Sequence, residues 1–329
     1  MPLVWILTDG TDKQQKTYKS AVEIYNELVP ILGKEIALVC EEELLQRASA
    51  ESGLGLYIGD QVLETPKLVF LRIKPDRVDP CFTLPLIQHL ERMGIQVINN
   101  SAAILLATNK ALTYQELCKN GNEIVPHHCH NIFIGIPIPM TITYSQNDLS
   151  RVDLRLLTKT VGFPLVVKAV RGHGGKCVYL VQHLQELEEL MRTLPHSVPY
   201  VFQEYVRESH GKDLRVAVIG GEVAFTMMRY STTGALQANL AQGGSGKLIT
   251  GCFPEAESLA IRIAAVMGLD VVGVDLLWSD KHGFVCCEVN NSLAITTYHV
   301  YGTAAVSKSV SFILLRLQEI LSKCTKSAS

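Results

Sequence analysis

Two strand-like stretches near the C-terminal end constrain this chain more tightly than any other feature. Val271-Val272-Gly273-Val274-Asp275-Leu276-Leu277-Trp278 and Phe284-Val285-Cys286-Cys287-Glu288-Val289-Asn290 flank the turn-rich connector Ser279-Asp280-Lys281-His282-Gly283, the pattern of a hairpin. A turn centred on Lys281-His282 sets Asp275 opposite Glu288 and Gly273 opposite Asn290. The other face then reads Trp278 against Val285, Leu276 against Cys287 and Val274 against Val289, all apolar. A slip of one residue would mix the two faces, so the alternation selects this register. Two carboxylates directly opposite each other repel, and a divalent cation between them would reverse the sign. Asp, Glu and an Asn carbonyl are hard oxygen donors of the type magnesium or manganese takes. A solvated face with two scattered acids is the plainer alternative. On either reading, neutralising one acid is expected to relieve repulsion and leave the fold intact.

The rest of the composition narrows the class. A length of 329 residues suits roughly two to three domains. The 30 basic and 32 acidic side chains are nearly balanced and show no long run of one sign, which argues against a nucleic-acid footprint. The segment Met1–Asp9 is apolar but short and lacks the basic flank of a signal peptide, so a buried first strand is expected. No apolar stretch approaches the ~20 residues of a membrane span. Nine irregularly spaced cysteines read as reduced core residues of a cytoplasmic protein. The cluster His127-His128-Cys129-His130 is dense, but adjacent residues on one segment rarely converge on one metal.

Residues 1–107 alternate strands (Leu3–Leu7, Lys67–Ile73, Gln96–Ile98) with amphipathic helices near 17–32 and 83–93, a small α/β layer of Rossmann-like type. No G-x-G-x-x-G follows the first strand, so no dinucleotide site is expected there. Ser101–Lys119 reads as one helix, and the His-, Ile- and Pro-rich stretch from Asn122 to Met140 as a loop. From Gly162 onward hairpins dominate: Leu165–Val170 with Cys177–Val181, and Leu214–Ile219 with Val223–Met228 around Gly220-Gly221. Helices are expected at 184–193, 255–267 and 305–323, giving an α+β second half with mainly antiparallel sheets.

Several motifs are weak singly. Gly172-His173-Gly174-Gly175-Lys176 joins two strands, so it is no P-loop. A glycine-rich hairpin tip can still bring bare N–H groups to phosphate oxygens, or be only a tight turn. Lys168 lies inside an apolar strand, where an ammonium needs a partner such as polyphosphate, or snorkels to the surface. Asp213 and Arg215 share one face of a strand, as a salt-bridged pair would.

In order, the set resembles the ATP-grasp superfamily and its RimK-type branch, which attaches glutamate to a carboxylate acceptor. It is most similar to the animal RimK-like N-acetylaspartylglutamate and β-citrylglutamate synthases. The resemblance covers nearly the whole chain. It rests on Ile6–Asp9, Asn109-Lys110, Tyr114-Gln115-Glu116-Leu117, Arg171-Gly172-His173, Gly175-Lys176, Glu208–Asp213, Met228-Arg229, Ser231-Thr232, Gln237, Asn239, Asp275-Leu276-Leu277 and Cys287-Glu288. It implies an ATP-grasp fold behind an N-terminal α/β domain, divided at 1–107, 108–202 and 203–325, the last holding the metal site.

The resemblance also implies roles. Lys110 and Lys168 contact ATP phosphates, and Gly172, His173, Gly174, Gly175 and Lys176 close over them. Glu204, Tyr205 and Val206 hold adenine, and Asp213 the ribose. Gln237, Ala238 and Asn239 complete the nucleotide set. Arg229 and Arg215 are the catalytic residues on the phosphate side. Asp275, Glu288 and Asn290 bind two Mg2+ or Mn2+ ions.

The activity implied is ATP-dependent amide formation through an acyl phosphate, adding L-glutamate to a small acidic acceptor such as N-acetylaspartate or citrate. Partners are these small molecules, with no nucleic acid and no membrane; a homo-oligomer is left open. The alternatives are a RimK-type ligase acting on a protein or peptide C-terminus, a D-Ala-D-Ala-type ligase, and a silent nucleotide-binding scaffold. The chain departs from the family pattern at Gly174, where an arginine is usual, at Ala238 and Gln242, and at Asn290-Asn291-Ser292-Leu293-Ala294 in place of Asn-Ala-Asn-Val-Gly. The last departure leaves the acceptor open.

Overall fold

Apolar runs separated by amphipathic helices build a parallel sheet at the start of the chain. The computed structural model describes residues 2–10, 15–73, 83–119, 124–127, 130–133, 135–144, 151–172, 177–238, 243–293 and 302–326. It opens with β1 (Val4–Thr8), α1 (Lys16–Leu32) and β2 (Ile36–Cys40). A small antiparallel sheet of β3 (Leu44–Ser49), β4 (Gly53–Ile58) and β5 (Gln61–Val62) follows, which the sequence reading did not foresee. Then come β6 (Leu68–Arg72), α2 (Thr83–Arg92) and β7 (Gln96–Ile98). The main strands run β2-β1-β6-β7, all parallel. All five residues of β1 are buried, as a parallel strand covered on both faces requires.

The expected single helix over 101–119 is two, α3 (Ser101–Ala107) and α4 (Lys110–Lys119). Asn109 restarts the helix: its Oδ1 accepts hydrogen bonds from the backbone N–H of Ala111 and Leu112, at 3.0 and 3.2 Å, as an N-cap does. Lys110 thereby opens a helix, and its own N–H donates to the Val170 carbonyl at 3.0 Å. The His-rich stretch, read as a loop, contains a hairpin of β8 (Ile124–His127) and β9 (His130–Phe133), with His127 opposite His130.

A second sheet holds β10 (Thr141–Thr143), β11 (Leu165–Ala169), β12 (Val178–Val181) and β13 (Tyr200–Glu204), with helices α5 (Leu154–Val161) and α6 (Leu184–Thr193). Its order is β10-β13-β11-β12, antiparallel. Leu165, Val167 and Phe202 pack with Leu157 and Leu187 of the helices. The opposite face of the same strands presents Val166, Lys168 and Gln203.

The third sheet comprises β14 (Lys212–Ile219), β15 (Glu222–Tyr230), β16 (Ser245–Leu248), β17 (Val271–Ser279) and β18 (Gly283–Asn290), with α7 (Pro254–Met267) and α8 (Gly302–Lys326). The order is β16-β15-β14-β17-β18, antiparallel throughout. The β14–β15 turn is Gly220-Gly221, with φ of 61° and 80°; positive φ at both central residues defines the type I′ turn that glycine permits. Leu214, Val216, Val272, Val274 and Leu276 point to α7. On the other face Ala217, Ile219, Phe225 and Met227 join α8 and the N-terminal sheet in one core. That second face changes character along its strands: after Ala217 in β14 the residues of the same parity are Arg215 and Asp213. Asn99 pins the N-terminal sheet to this one, since its side chain exchanges hydrogen bonds with Val271 N and O at 2.8 and 2.7 Å.

Candidate active site

The charged half of the third sheet and the Lys168 face of the second enclose a cleft. Its wall includes Lys110, Lys168, Gly172, the strand end Glu204-Tyr205-Val206, Asp213, Gln237, Ala238, Asp275 and Glu288. Residues expected from distant stretches of sequence thus meet in one place. His173, Gly174, Gly175, Lys176 and Asn239 lie outside the described residues. Arg215, Arg229 and Asn290 sit behind the wall and reach it through Asp275.

The hairpin register holds where it matters and breaks beyond. Gly273 faces Asn290, Val274 faces Val289 and Asp275 faces Glu288. After that pair a bulge shifts the register, so Leu276 pairs with Cys286 and Trp278 with Phe284, instead of Cys287 and Val285. A bulge sets two residues of one strand against one of the other and re-aims a side chain. Here Cys286 enters the core at 0% exposure, while Cys287 joins Glu288 in lining the cleft. Trp278, expected on the covered face, is 45% exposed.

The facing acids are already neutralised by side chains. Arg215 donates to Asp275 from Nε and Nη2, at 2.7 and 2.6 Å. Nη2 of Arg229 lies 3.0 Å from the same Asp275 Oδ2. Arg229 also forks onto Asp213, at 2.7 and 2.6 Å, so both carboxylate oxygens of Asp213 are held by Arg229. Asn290 Nδ2 donates to Asp275 Oδ2 at 3.4 Å. Lys110 Nζ lies 3.0 Å from Glu288 Oε1 and donates to the Gly172 carbonyl at 3.0 Å. Burial works against the Asp275 carboxylate, but Arg215 and Arg229 outweigh it and hold its pKa below the ordinary value. Such bidentate charge-assisted pairs are the strong ones.

Lys168 is 7% exposed. Its Nζ donates to Gln203 Oε1 at 2.7 Å and reaches Cys287 Sγ at 3.5 Å. Gln203 Nε2 in turn donates to Thr141 Oγ1 at 2.8 Å, and Thr141 Oγ1 donates to the Pro139 carbonyl at 2.8 Å. Burial disfavours the ammonium, yet Cys287, Tyr114 and Glu288 around it raise its pKa above the usual lysine value. Tyr114 donates to the Cys287 carbonyl at 2.8 Å. Glu204 Oε2 accepts from Met140 N–H at 3.2 Å. Gln237 Nε2 donates to the Val178 carbonyl at 3.2 Å, bridging the two sheets across the cleft.

Gln203, Thr141, Tyr114 and Cys287 carried no role in the sequence reading. Gln203 had a signal, a polar residue between Phe202 and the connecting strand end, on the parity that faces Lys168. Cys287 had none, because strict alternation assigns it to the apolar face.

Asp275, Glu288 and Asn290 supply hard oxygens suited to a divalent cation. Cationic groups of Arg215 and Arg229 stand at the Asp275 oxygens and that of Lys110 at Glu288, so the site is built for positive charge. Among the described residues no group of three or more His, Cys, Asp or Glu side chains is placed to hold a metal ion. No helix of the described residues is long and apolar enough to cross a membrane.

A family model described as a RimK-like ATP-grasp domain matches residues 107–313. Human β-citrylglutamate synthase B is 34% identical over 307 residues, 90% of this chain and 72% of that protein. Human N-acetylaspartylglutamate synthase A is 35% identical over 247 residues, 74% of this chain and 59% of that protein. Among solved structures, the ATP-grasp ligase PsnB in complex with a minimal precursor, Mg and ADP superposes with a TM-score of 0.62 at 17% identity, over 93% of this chain and 98% of that one.

Proposed function

This chain belongs to the RimK-like ATP-grasp family of ATP-dependent ligases, and from that premise we propose that it joins L-glutamate to a small acidic acceptor through an acyl phosphate. The observation that carries the reading is the convergence at one cleft of Lys110 and Lys168 in its wall with Arg215 and Arg229 behind it, around Asp275 and Glu288. Phosphoryl transfer needs positioned positive charge more than acid–base groups. The division at 1–107, 108–202 and 203–325 places that cleft between the second and third parts.

In this reading the acceptor carboxylate attacks the γ-phosphorus of ATP, the bond to ADP breaks, and the glutamate amine then displaces phosphate to leave an amide. Lys168, oriented by Gln203, and Lys110, at the start of α4, bind the phosphate chain. The backbone of Glu204–Val206 offers donors and acceptors to the base edge. Arg229 and Arg215 stand where charge develops during transfer, where prepositioned donors act most strongly. Asp275, Glu288 and Asn290 would hold Mg2+ or Mn2+, which supplies further neutralisation of the phosphate oxygens.

ADP release measured with Mg2+ and L-glutamate across N-acetylaspartate, citrate and short acidic peptides tests the proposal. Acceptor-dependent ADP with one of the small acids is the expected result. Tight ATP binding without acceptor-dependent ADP would favour a silent scaffold, and turnover with peptides alone a ligase of chain termini.

A further inference from the structure

Arg72 takes no part in the chemistry above, yet among the described residues it is the largest fully buried side chain, at 2% exposure. It ends β6, at the carboxyl edge of the parallel sheet, where open α/β sheets bind ligands. Its Nε donates to Ser20 Oγ at 2.9 Å and its Nη2 to the Leu293 carbonyl at 2.7 Å. Both partners are neutral. Asp9 acts on it only from a distance, with Oδ1 taken by the Thr17 hydroxyl at 2.9 Å. Burial pulls the guanidinium down to about 10, which leaves it charged at neutral pH. A buried cation held by neutral oxygens is expensive and calls for a counter-ion.

Beside Arg72 lies a cavity of about 20 Å³, walled on its polar side by Asn99, Asn291 and Ser292. That volume admits one small polar group. Asn99 is already saturated by Val271 and by the Asn291 carbonyl, so Arg72, Asn291 and Ser292 are the groups on offer. Asn291 and Ser292 of its wall directly follow Asn290, which donates to Asp275. Leu293, whose carbonyl Arg72 binds, packs against Gly273: a Cβ placed there would meet Leu293 Cδ1 at 3.3 Å and Arg215 Nε at 3.7 Å. Arg215 is the residue that holds Asp275.

Three of the four cations of the cleft differ from Arg72 in one respect. Lys110, Arg215 and Arg229 are each bound to a carboxylate of the chain, and Lys168 to an amide and a thiol. Among the described residues Arg72 has no ion-paired carboxylate. An acid with two carboxylates needs one at the phosphorus and a separate cation for the other.

We propose that the Arg72 cavity is a carboxylate subsite, which takes the unreacted carboxylate of an acceptor bearing two or more and so makes the enzyme selective for small polyacids. The proposal rests on the ligase reading for the identity of the reacting group, but its test is binding. N-acetylaspartate and citrate are titrated calorimetrically into the whole protein with Mg2+ and ADP, alongside N-acetylaspartate amidated at either carboxylate. Wild type should bind the diacid at least about tenfold more tightly than one of its mono-amides, the scale of a lost charge-assisted pair. Arg72→Met should reduce that preference to under about threefold, while Arg72→Lys keeps part of it. ADP affinity should stay within about twofold of wild type in both variants.

Equal binding of diacid and mono-amides by wild type overturns the subsite, as does failure to bind either polyacid. An unchanged preference in both variants overturns it too, and so does a parallel loss of ADP and acid binding in folded protein, the signature of a purely structural arginine. Should Arg72→Met melt below the assay temperature, the wild-type comparison and Arg72→Lys decide alone. Arg72-dependent acid binding without ADP release would support the subsite while removing the ligase reading.

Discussion

Arg215 grips both oxygens of Asp275, at 2.7 and 2.6 Å, while Asp275 stands directly opposite Glu288 on the neighbouring strand. The pair that should repel is held together by arginine on one side and by Lys110 on the other. Neutralising Asp275 therefore does not relieve the fold, contrary to the expectation from the hairpin alone. Asp275→Asn removes the carboxylate that Arg215 and Arg229 share, and removing one partner of a buried pair costs on the order of 3 kcal/mol. Urea denaturation of the ligand-free protein should show that loss. Glu288→Gln, on the Lys110 pair whose side chains are 12% and 22% exposed, should cost less, about 1–2 kcal/mol. Equal midpoints for Asp275→Asn and wild type would contradict the arginine cage.

Lys168 depends on Gln203 for its direction. Gln203→Leu leaves a buried ammonium without its 2.7 Å acceptor and should weaken ATP binding by roughly tenfold, the scale of a lost hydrogen bond to a charged group. Thr141→Val removes only the hydroxyl that fixes the Gln203 amide and should have a smaller effect of the same sign. Equilibrium nucleotide titration reads both. An unaltered ATP affinity in Gln203→Leu would show that Lys168 does not bind the phosphates.

Cys287 owes its place in the cleft to the bulge. Burial pushes its thiol above the usual range, and the nearby Lys168 offsets that only in part. A raised pKa means less thiolate at a given pH, so alkylation should be slower than for an ordinary cysteine at pH 8. It should also keep accelerating above about pH 9.5, roughly a unit past the free-cysteine pKa, where an ordinary thiol levels off. Mass spectrometry of iodoacetamide-treated protein, with exposed Cys252 as internal reference, would record this. Mg-ATP should protect Cys287 and leave Cys252 unaffected.

The β14–β15 turn bears on stability alone. Gly220 has φ of +61°, and a Cβ there would meet the Phe312 ring of α8 at 2.5 Å. Gly220→Ala combines backbone strain with overpacking and should cost about 1–3 kcal/mol. The denaturation midpoint should fall while kcat/KM in the folded protein stays near wild type.

Much of the site was legible along the chain because it obeys a local period. Alternation by two set Asp275 against Glu288 and Gly273 against Asn290, and both pairings hold. The Gly-Gly turn, the lysine within an apolar strand and the order of the motifs were equally readable, since each is a statement about neighbours in sequence. The bulge at Cys286-Cys287 was not, because it breaks that period without a glycine or proline to mark it. Nor was the restart at Asn109, where a capping side chain interrupts an otherwise continuous helical pattern.

Tertiary structure alone decided what neutralises each charge. Arg215 reaches Asp275 across 60 positions of sequence, Lys168 meets Cys287 across 119, and Arg72 meets the Leu293 carbonyl across 221. No periodicity links residues so far apart; only the packing of one sheet face against another brings them within hydrogen-bond reach. The sequence by itself determined which residues could carry charge on a common face. The fold determined which of them are satisfied within the chain, and it left Arg72 paired only with neutral oxygens among the described residues, because the strand that carries it ends against a backbone carbonyl and a hydroxyl rather than an acid.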